Sequence, residues 1–134
     1  MLTGQALAPE AENALVSHLT GRPEILFATL YGSAAEGRPY RDVDVALFVD
    51  RTQVPAEAEL DYSFDLADEL ERAVPCSFDV RVINDAPLPF RYNVSRGKAL
   101  VINDHERFYL FLERTWDDWF DFEPVAMRYL RDLK

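Results

Sequence analysis

Residues 30–49 read LYGSAAEGRPYRDVDVALFV, and this stretch decides the fold. The run Ile25–Tyr31 that leads into it is short, apolar and partly aromatic, which predicts a buried strand. Gly32 ends that strand, and a short helix is predicted over 33–36, closed by a second glycine. The β-rich run Val43–Val49 then predicts a second strand, which begins beside two aspartates.

The rest of the chain alternates helical and strand patterns around this stretch. Pro9, with acids behind it, predicts a helix start, since proline suits the first turn and acids suit the positive end of the helix dipole. Pro75 and Pro124 are predicted to stop helices, and Asp104 is predicted to cap one. The other predicted elements are helices from Pro9 to Gly21 and over 55–74, 88–95, 105–121 and 125–133, and strands within 77–83 and over 99–102.

The order α-β-α-β-α-β-α-β-α indicates an α/β or α+β domain in which a small mixed β-sheet is flanked by helices. At 134 residues the chain fits one domain, 1–134. Its C-terminal part, from about residue 105, is an aromatic helical segment. In the helix over 55–74 the apolar spacing predicts a buried stripe. That stripe comprises Leu60, Phe64, Leu66, Ala67 and Leu70.

Aromatic residues are concentrated between 108 and 122 and spread over more than one face of the predicted helix. A small core absorbs only part of such a set. We expect the remainder to contact another protein, because Tyr and Trp are enriched at interfaces. The set comprises Phe108, Tyr109, Phe111, Trp116, Trp119, Phe120 and Phe122.

Composition and charge exclude several classes of function. With 14 Lys and Arg against 24 Asp and Glu, the formal charge is −10, which argues against broad contact with nucleic acid or an anionic membrane. A basic protein partner or bound metal ions suit that charge better. Cys76 is the one cysteine, so neither an internal disulfide nor a Cys/His zinc site is predicted. No apolar run approaches about 20 residues and residues 1–10 lack the features of a signal peptide, so we expect a soluble, cytoplasmic protein.

Asp42 and Asp44 are the strongest candidates for chemistry. Because they are two residues apart at the start of a strand, both carboxylates are expected to project from one face. Like charges held that close repel each other, and carboxylate oxygens suit Mg²⁺ or Mn²⁺ as the compensating cation. Asp79 alternates with apolar residues in the third predicted strand. It is therefore either a solvated surface residue or, if that strand pairs with Val43–Val49, a third carboxylate at the same metals.

A phosphate site is predicted next to these acids. Gly32 lets the backbone approach a phosphate closely, and Ser33 offers an amide and a hydroxyl. A lone Gly-Ser pair is more often an ordinary turn, but here it stands in order with the aspartates between two apolar strands. Arg38 and Arg41 are interpreted as solvated loop residues, with added charge at the phosphates as the alternative. Arg81 shares a strand face with Asp79, so it either pairs with a carboxylate or reaches a phosphate.

Together these residues predict a two-metal nucleotidyl transfer. Asp42 and Asp44 would bind both ions, and Asp79 would bind the ion beside the nucleophile and assist its deprotonation. Gly32 and Ser33 would hold the β and γ phosphates of a nucleoside triphosphate.

At this point the sequence resembles a known family, the minimal nucleotidyltransferases of the DNA polymerase β superfamily. The shared pattern is a hydrophobic strand, Gly32-Ser33, a spacer, Asp42-Val43-Asp44-Val45 and a later strand bearing Asp79. Residues 87–124, PLPFRYNVSRGKALVINDHERFYLFLERTWDDWFDFEP, also resemble the region that follows the third carboxylate in MntA-type antitoxins. One departure is that eight residues separate Ser33 from Asp42, a shorter spacer than is usual in those proteins.

The resemblance implies a polymerase-β-like fold and a specific activity. The chain would be an antitoxin that uses ATP and two Mg²⁺ ions to transfer AMP to a tyrosine of a HEPN-domain ribonuclease toxin, which it neutralises. Two alternatives stay open: a binding-only antitoxin with a vestigial nucleotide site, and a stand-alone nucleotidyltransferase that acts on a small molecule such as an aminoglycoside. The complete set of carboxylates favours the first function. We expect no direct contact with nucleic acid or membrane, because the acidic charge offers no phosphate-tracking groove.

Overall fold

The structure, a computed structural model, describes residues 7–133, so most of the segment without signal-peptide features lies outside the described residues. Helices and strands alternate in the predicted order. The elements are α1 (Pro9–Leu19), β1 (Ile25–Tyr31), α2 (Gly32–Ala35), β2 (Val43–Val49), α3 (Glu59–Ala73, after a 3-10 turn at Ala56–Ala58), β3 (Phe78–Val82), α4 (Leu88–Ser95), β4 (Lys98–Ile102) and α5 (His105–Asp132).

The four strands form one mixed sheet in the order β3-β2-β1-β4. β1 pairs antiparallel with both β2 and β4, whereas β2 pairs parallel with β3. A parallel pair needs a crossover, and α3 supplies it between β2 and β3. The predicted mixed sheet flanked by helices is therefore confirmed, with β3 and β4 as its edge strands.

Alternation along the strands gives the sheet two different faces. One face is aliphatic and packs with α1 and α3, and Val45, Leu47 and Leu70 are fully buried there. The opposite face is aromatic, where Phe27 packs with Phe111 under α4 and α5. Side chains of successive strand residues point to opposite faces, so each strand contributes to both layers.

Two predictions about helices are wrong. Pro124 does not interrupt the last helix, because α5 continues through it from His105 to Asp132. The residues around it are exposed, so water can bond the carbonyl that loses its partner there. Leu60 and Phe64 are not part of a buried stripe but are 67% and 65% exposed. They lie beside β3, and because β3 is an edge strand, no further strand among residues 7–133 covers them.

None of the described helices is both long and apolar enough to span a lipid bilayer.

Candidate active site

A row of three polar side chains crosses the sheet at one end of its aromatic face. Tyr31 of β1 is the register partner of Asp44 of β2, and Asp44 is the register partner of Asp79 of β3. Directly opposed residues on paired strands point to the same face with their Cβ atoms about 5 Å apart. The strand pairing that the sequence left conditional therefore exists, and it brings Asp79 beside Asp44.

Asp44 is the electrostatic centre of this row. Partial burial, followed by the charges of Asp79 and Asp42, raises its pKa from 3.8 to about 6. Burial, followed by the charges of Asp44 and Asp79, also raises the pKa of Tyr31 above its ordinary value. From the sequence, Tyr31 is predicted only as a strand residue. Its register with Asp44 places it at the edge of the site.

Arg81 partly balances the acids. Its guanidinium donates hydrogen bonds to both carboxylate oxygens of Asp79, at 3.3 and 3.2 Å, and lies 5.7 Å from the ring centroid of Phe90. Of the two roles left open for Arg81, the structure therefore has it paired with a carboxylate. The hydrogen bond with Asp79 and the charge of that carboxylate raise the pKa of Arg81, against a smaller opposing effect of burial.

Asp42 lies apart from the row. It occupies the bend just before β2 and is exposed, while its charge still acts on Asp44. Within residues 7–133, no group of three or more His, Cys, Asp or Glu side chains is arranged to hold a metal ion. The structure thus brings together Asp44 and Asp79 and leaves Asp42 on the adjoining loop.

Gly32 joins the predicted phosphate corner to the carboxylates. Its φ is +75°, and a Cβ built there would lie 2.6 Å from Oδ2 of Asp44. An L-residue is disfavoured at such a φ, and the carboxylate would have to move to admit any side chain. Ser33 follows in α2, and its backbone carbonyl accepts a hydrogen bond from the backbone N–H of Arg38. The glycine corner and Asp44 therefore form one continuous surface.

A cavity of about 190 Å³ opens on the other side of that corner. Besides Gly32 it is lined by two cations, Arg96 at the end of α4 and Lys98 at the start of β4. Lys98 also pairs with Glu12 at 2.9 Å, and Arg96 lies over the ring of Tyr92. The full lining is Gly32, Ala35, Glu36, Asn93, Arg96, Gly97 and Lys98.

Arg96 and Lys98 were not assigned to the site from sequence. A signal existed, because the Arg-Gly-Lys run ends one predicted element and begins another, but only the fold brings it to Gly32. Arg38 and Arg41, by contrast, are exposed in the loop before β2, as interpreted. Arg38 is held by Glu36 at 2.6 Å at the margin of the cavity.

The donor set around Asp44 fits a divalent cation. Hard carboxylate oxygens are the ligands that Mg²⁺ and Mn²⁺ prefer, usually with substrate phosphates completing the coordination. After burial, repulsion from Asp79 is the next largest cause of the raised pKa of Asp44, and a cation bound to both carboxylates would relieve it. Arg81 supplies part of that positive charge in the free chain.

The chain is similar to a known family in sequence and to solved structures in fold. The model of the family described as polymerase beta, nucleotidyltransferase matches residues 13–106, more than half of the chain. No curated protein sequence is significantly similar to the chain.

Several solved structures share the fold. One contains a tri-AMPylated HEPN toxin of Shewanella oneidensis in complex with an MNT antitoxin, with a TM-score of 0.66, 21% identity and coverage of 92% of this chain and 96% of that one. A toxin–antitoxin structure with AMP-PNP has a TM-score of 0.68, 22% identity and coverage of 91% and 97%. A mutant of the toxin–antitoxin pair MntA–HpeT has a TM-score of 0.70, 21% identity and coverage of 91% and 97%.

Proposed function

The chain belongs to the polymerase β nucleotidyltransferase family, and on that basis we propose that it is an antitoxin that transfers AMP from ATP to a tyrosine of a HEPN-domain ribonuclease toxin. We further propose that residues 1–134 form one nucleotidyltransferase domain that acts with Mg²⁺, or with Mn²⁺ in its place. The observation that carries the proposal is the register pair Asp44 and Asp79 directly beside the Gly32 corner. Structural neighbours that include an AMPylated HEPN toxin and a complex with AMP-PNP support the choice of acceptor and nucleotide.

In this reaction the phenolic oxygen of the acceptor tyrosine attacks the α-phosphorus of ATP. A P–O bond forms to the tyrosine as the bond to pyrophosphate breaks, and the tyrosine proton passes to Asp79. Asp42, Asp44 and Asp79 would hold the divalent cations. When bound, these ions would neutralise charge on the triphosphate and lower the pKa of the attacking hydroxyl.

The chain's other residues position the triphosphate. The backbone of Gly32 and Ser33 would hold the β and γ phosphates, since a glycine without Cβ admits a close approach. Arg96 and Lys98 line the adjoining cavity, and their charges suit a nucleotide polyphosphate. Within the proposal, Arg81 is the residue that must release Asp79 when a cation and an acceptor enter.

Adenylyl transfer is the decisive test. The chain is incubated with labelled ATP, Mg²⁺ and the product of the neighbouring gene as the candidate acceptor, and the acceptor is analysed by mass spectrometry for added AMP. Replacing Asp44→Asn together with Asp79→Asn should lower the rate by about 100-fold or more, because cation binding and proton acceptance are both lost. The matched control is Asp117→Asn, an exposed aspartate of α5 that should transfer AMP at the unchanged rate.

A binding-only antitoxin is the second candidate, and one feature favours it. Asp79 is engaged by Arg81 rather than turned with Asp42 and Asp44 into one metal-holding group. In that case the wild-type chain adds no AMP, and the Asp44→Asn, Asp79→Asn variant neutralises the toxin as well as the wild type does. That pair of results would reject the enzymatic function.

A further inference from the structure

We propose that a groove between α3 and the outer edge of β3 docks an extended, basic segment of the acceptor protein and presents its hydroxyl to Asp79. This inference rests on the proposed function and adds how the protein substrate is recognised. The groove has a volume of about 420 Å³ and is lined by Leu60 and Phe64 of α3 and by residues 79–82 of β3.

The outer edge of β3 offers backbone groups for a further strand. On its inner side the carbonyl of Ser77 accepts from the N–H of Val43, and the N–H of Ile83 donates to the carbonyl of Leu47. Bonding alternates along a strand, so residues 77, 79, 81 and 83 serve the ladder with β2. Val80 and Val82 therefore direct their N–H and C=O groups outward. An extended segment can add to such an edge through main-chain hydrogen bonds.

The apolar part of the groove comes from α3. Leu60 is 67% and Phe64 65% exposed, and because they are four residues apart they lie on one helix face. Large apolar side chains exposed together beside a free strand edge are typical of an interaction site. They would pack against alternate side chains of the docked segment, since every second residue of a strand faces the same way.

The groove adjoins the candidate active site. Asp79, the carboxylate proposed to accept the proton, belongs to its lining together with Arg81. The cavity beside Gly32 lies toward β4, whereas the groove lies at β3 on the opposite edge of the sheet. Nucleotide and acceptor would thus approach the row of carboxylates from two sides, as an in-line displacement requires.

Charge determines which segment fits. Asp68 and Glu71 follow Phe64 by four and seven residues, so they share its helix face. Glu59 lines the groove near the start of α3, where it is paired with Arg51 at 2.8 Å. Glu71 is fixed at the start of β3, where its carboxylate accepts from the N–H of Phe78 at 2.9 Å. Arg81 is the one cation in the groove's lining among the described residues, and it is paired with Asp79. An acidic and apolar groove on a chain of net charge −10 selects a basic segment with apolar residues.

The test separates acceptor docking from catalysis. Leu60→Ala with Phe64→Ala should raise KM for the HEPN-domain acceptor at least about tenfold, while metal-dependent ATP binding stays at the wild-type affinity. Asp68→Lys should also raise that KM, and added salt should weaken the wild type in the same direction. The matched control is Leu110→Ala, which shortens an apolar side chain with 40% exposure on α5, outside the groove's lining and outside the aromatic set. All four substituted positions are exposed, so the variants should fold.

The outcomes are distinguishable. If the wild type transfers no AMP at all, the proposed function fails. If the wild type transfers AMP and the Leu60, Phe64 variant keeps its KM, the docking proposal is overturned while the function stands. A wild-type dimer that this variant dissociates, with KM unchanged, would show that a second copy of the chain fills the groove and would likewise overturn the proposal.

Discussion

The two faces of the sheet use the same strands for different purposes. On the side of α1 and α3, Val45, Leu47 and Val49 of β2 are fully buried in an aliphatic layer. On the other side the same strand presents Asp44, with its raised pKa, and then Phe48 in an aromatic layer. Adjacent residues of β2 thus have opposite effects on stability: burial of Val45 stabilises the folded chain, whereas the charged form of Asp44 destabilises it. Buried apolar residues on both faces stabilise the fold, and one end of the aromatic face holds the repelling charges.

The largest effect should come from the aliphatic face. Leu47→Ala removes a fully buried side chain at the centre of the sheet and should lower the free energy of unfolding by about 3 kcal/mol. Chemical denaturation measures the change. Leu60→Ala is the matched control, since the same truncation at a side chain with 67% exposure should alter stability by less than about 0.5 kcal/mol. Similar losses in both variants would contradict the assignment of Leu47 to the buried core and of Leu60 to the surface.

The next effect lies where the glycine corner meets the carboxylates. Gly32→Ala should destabilise the chain by about 2 kcal/mol, because it combines a left-handed backbone with a contact to Asp44 that must open. Gly21→Ala is the control, with φ +79° and nothing within 4 Å of the added Cβ. It should cost only the backbone strain, about 1 kcal/mol. Thermal unfolding of the two variants isolates the contact with Asp44, and equal shifts would show that the corner has room.

Removing the charge at Asp44 should have the opposite sign. In metal-free protein at neutral pH, Asp44→Asn should stabilise the fold by about 1 kcal/mol, a value reduced for a carboxylate that solvent partly screens. The folded pKa of about 6 lies above the ordinary 3.8, so stability present below pH 3.8 is lost as the pH rises through 6. The melting temperatures of variant and wild type should therefore converge in acid. A variant less stable than the wild type at pH 7 would assign Asp44 a structural role.

The helices and strands could be predicted because the residues that specify each one are neighbours in the sequence. Ile25–Tyr31 and Val43–Val49 have the predicted bounds, since each is a short apolar run next to a break in the pattern. The parallel pairing of β2 with β3 depends on contacts across more than thirty residues of sequence, so the pattern left it conditional. The prediction that Pro124 ends a helix is wrong because a proline breaks a helix most strongly where the helix is buried. Here the surrounding residues are exposed, so water can bond the carbonyl that loses its partner.

The site was predictable where its residues adjoin in sequence and not where folding assembles them. Gly32 and Asp44 belong to one stretch of sequence, and the pairing of β1 with β2 brings them into contact. Arg96 reaches the same corner from α4, and nothing in its own neighbourhood distinguishes it from a surface arginine. The catalytic roles of Asp42, Asp44 and Asp79 remain predictions that the transfer assay tests.

The smallest effect on stability is expected in the second half of α5, which neither face of the sheet covers. Phe120 and Tyr129 are 69% and 65% exposed there, so Phe120→Ala with Tyr129→Ala should change the free energy of unfolding by less than about 0.5 kcal/mol. Phe120 belongs to the aromatic set predicted to contact another protein, so the same variant should bind the HEPN-domain partner at least about tenfold more weakly, because exposed aromatics dominate interface energies. Titration calorimetry with the partner measures this, with Leu110→Ala as the control at an exposed residue of α5 outside the aromatic set. Unchanged affinity would leave the groove at β3 as the principal contact and make the aromatic end of α5 a surface without a binding role.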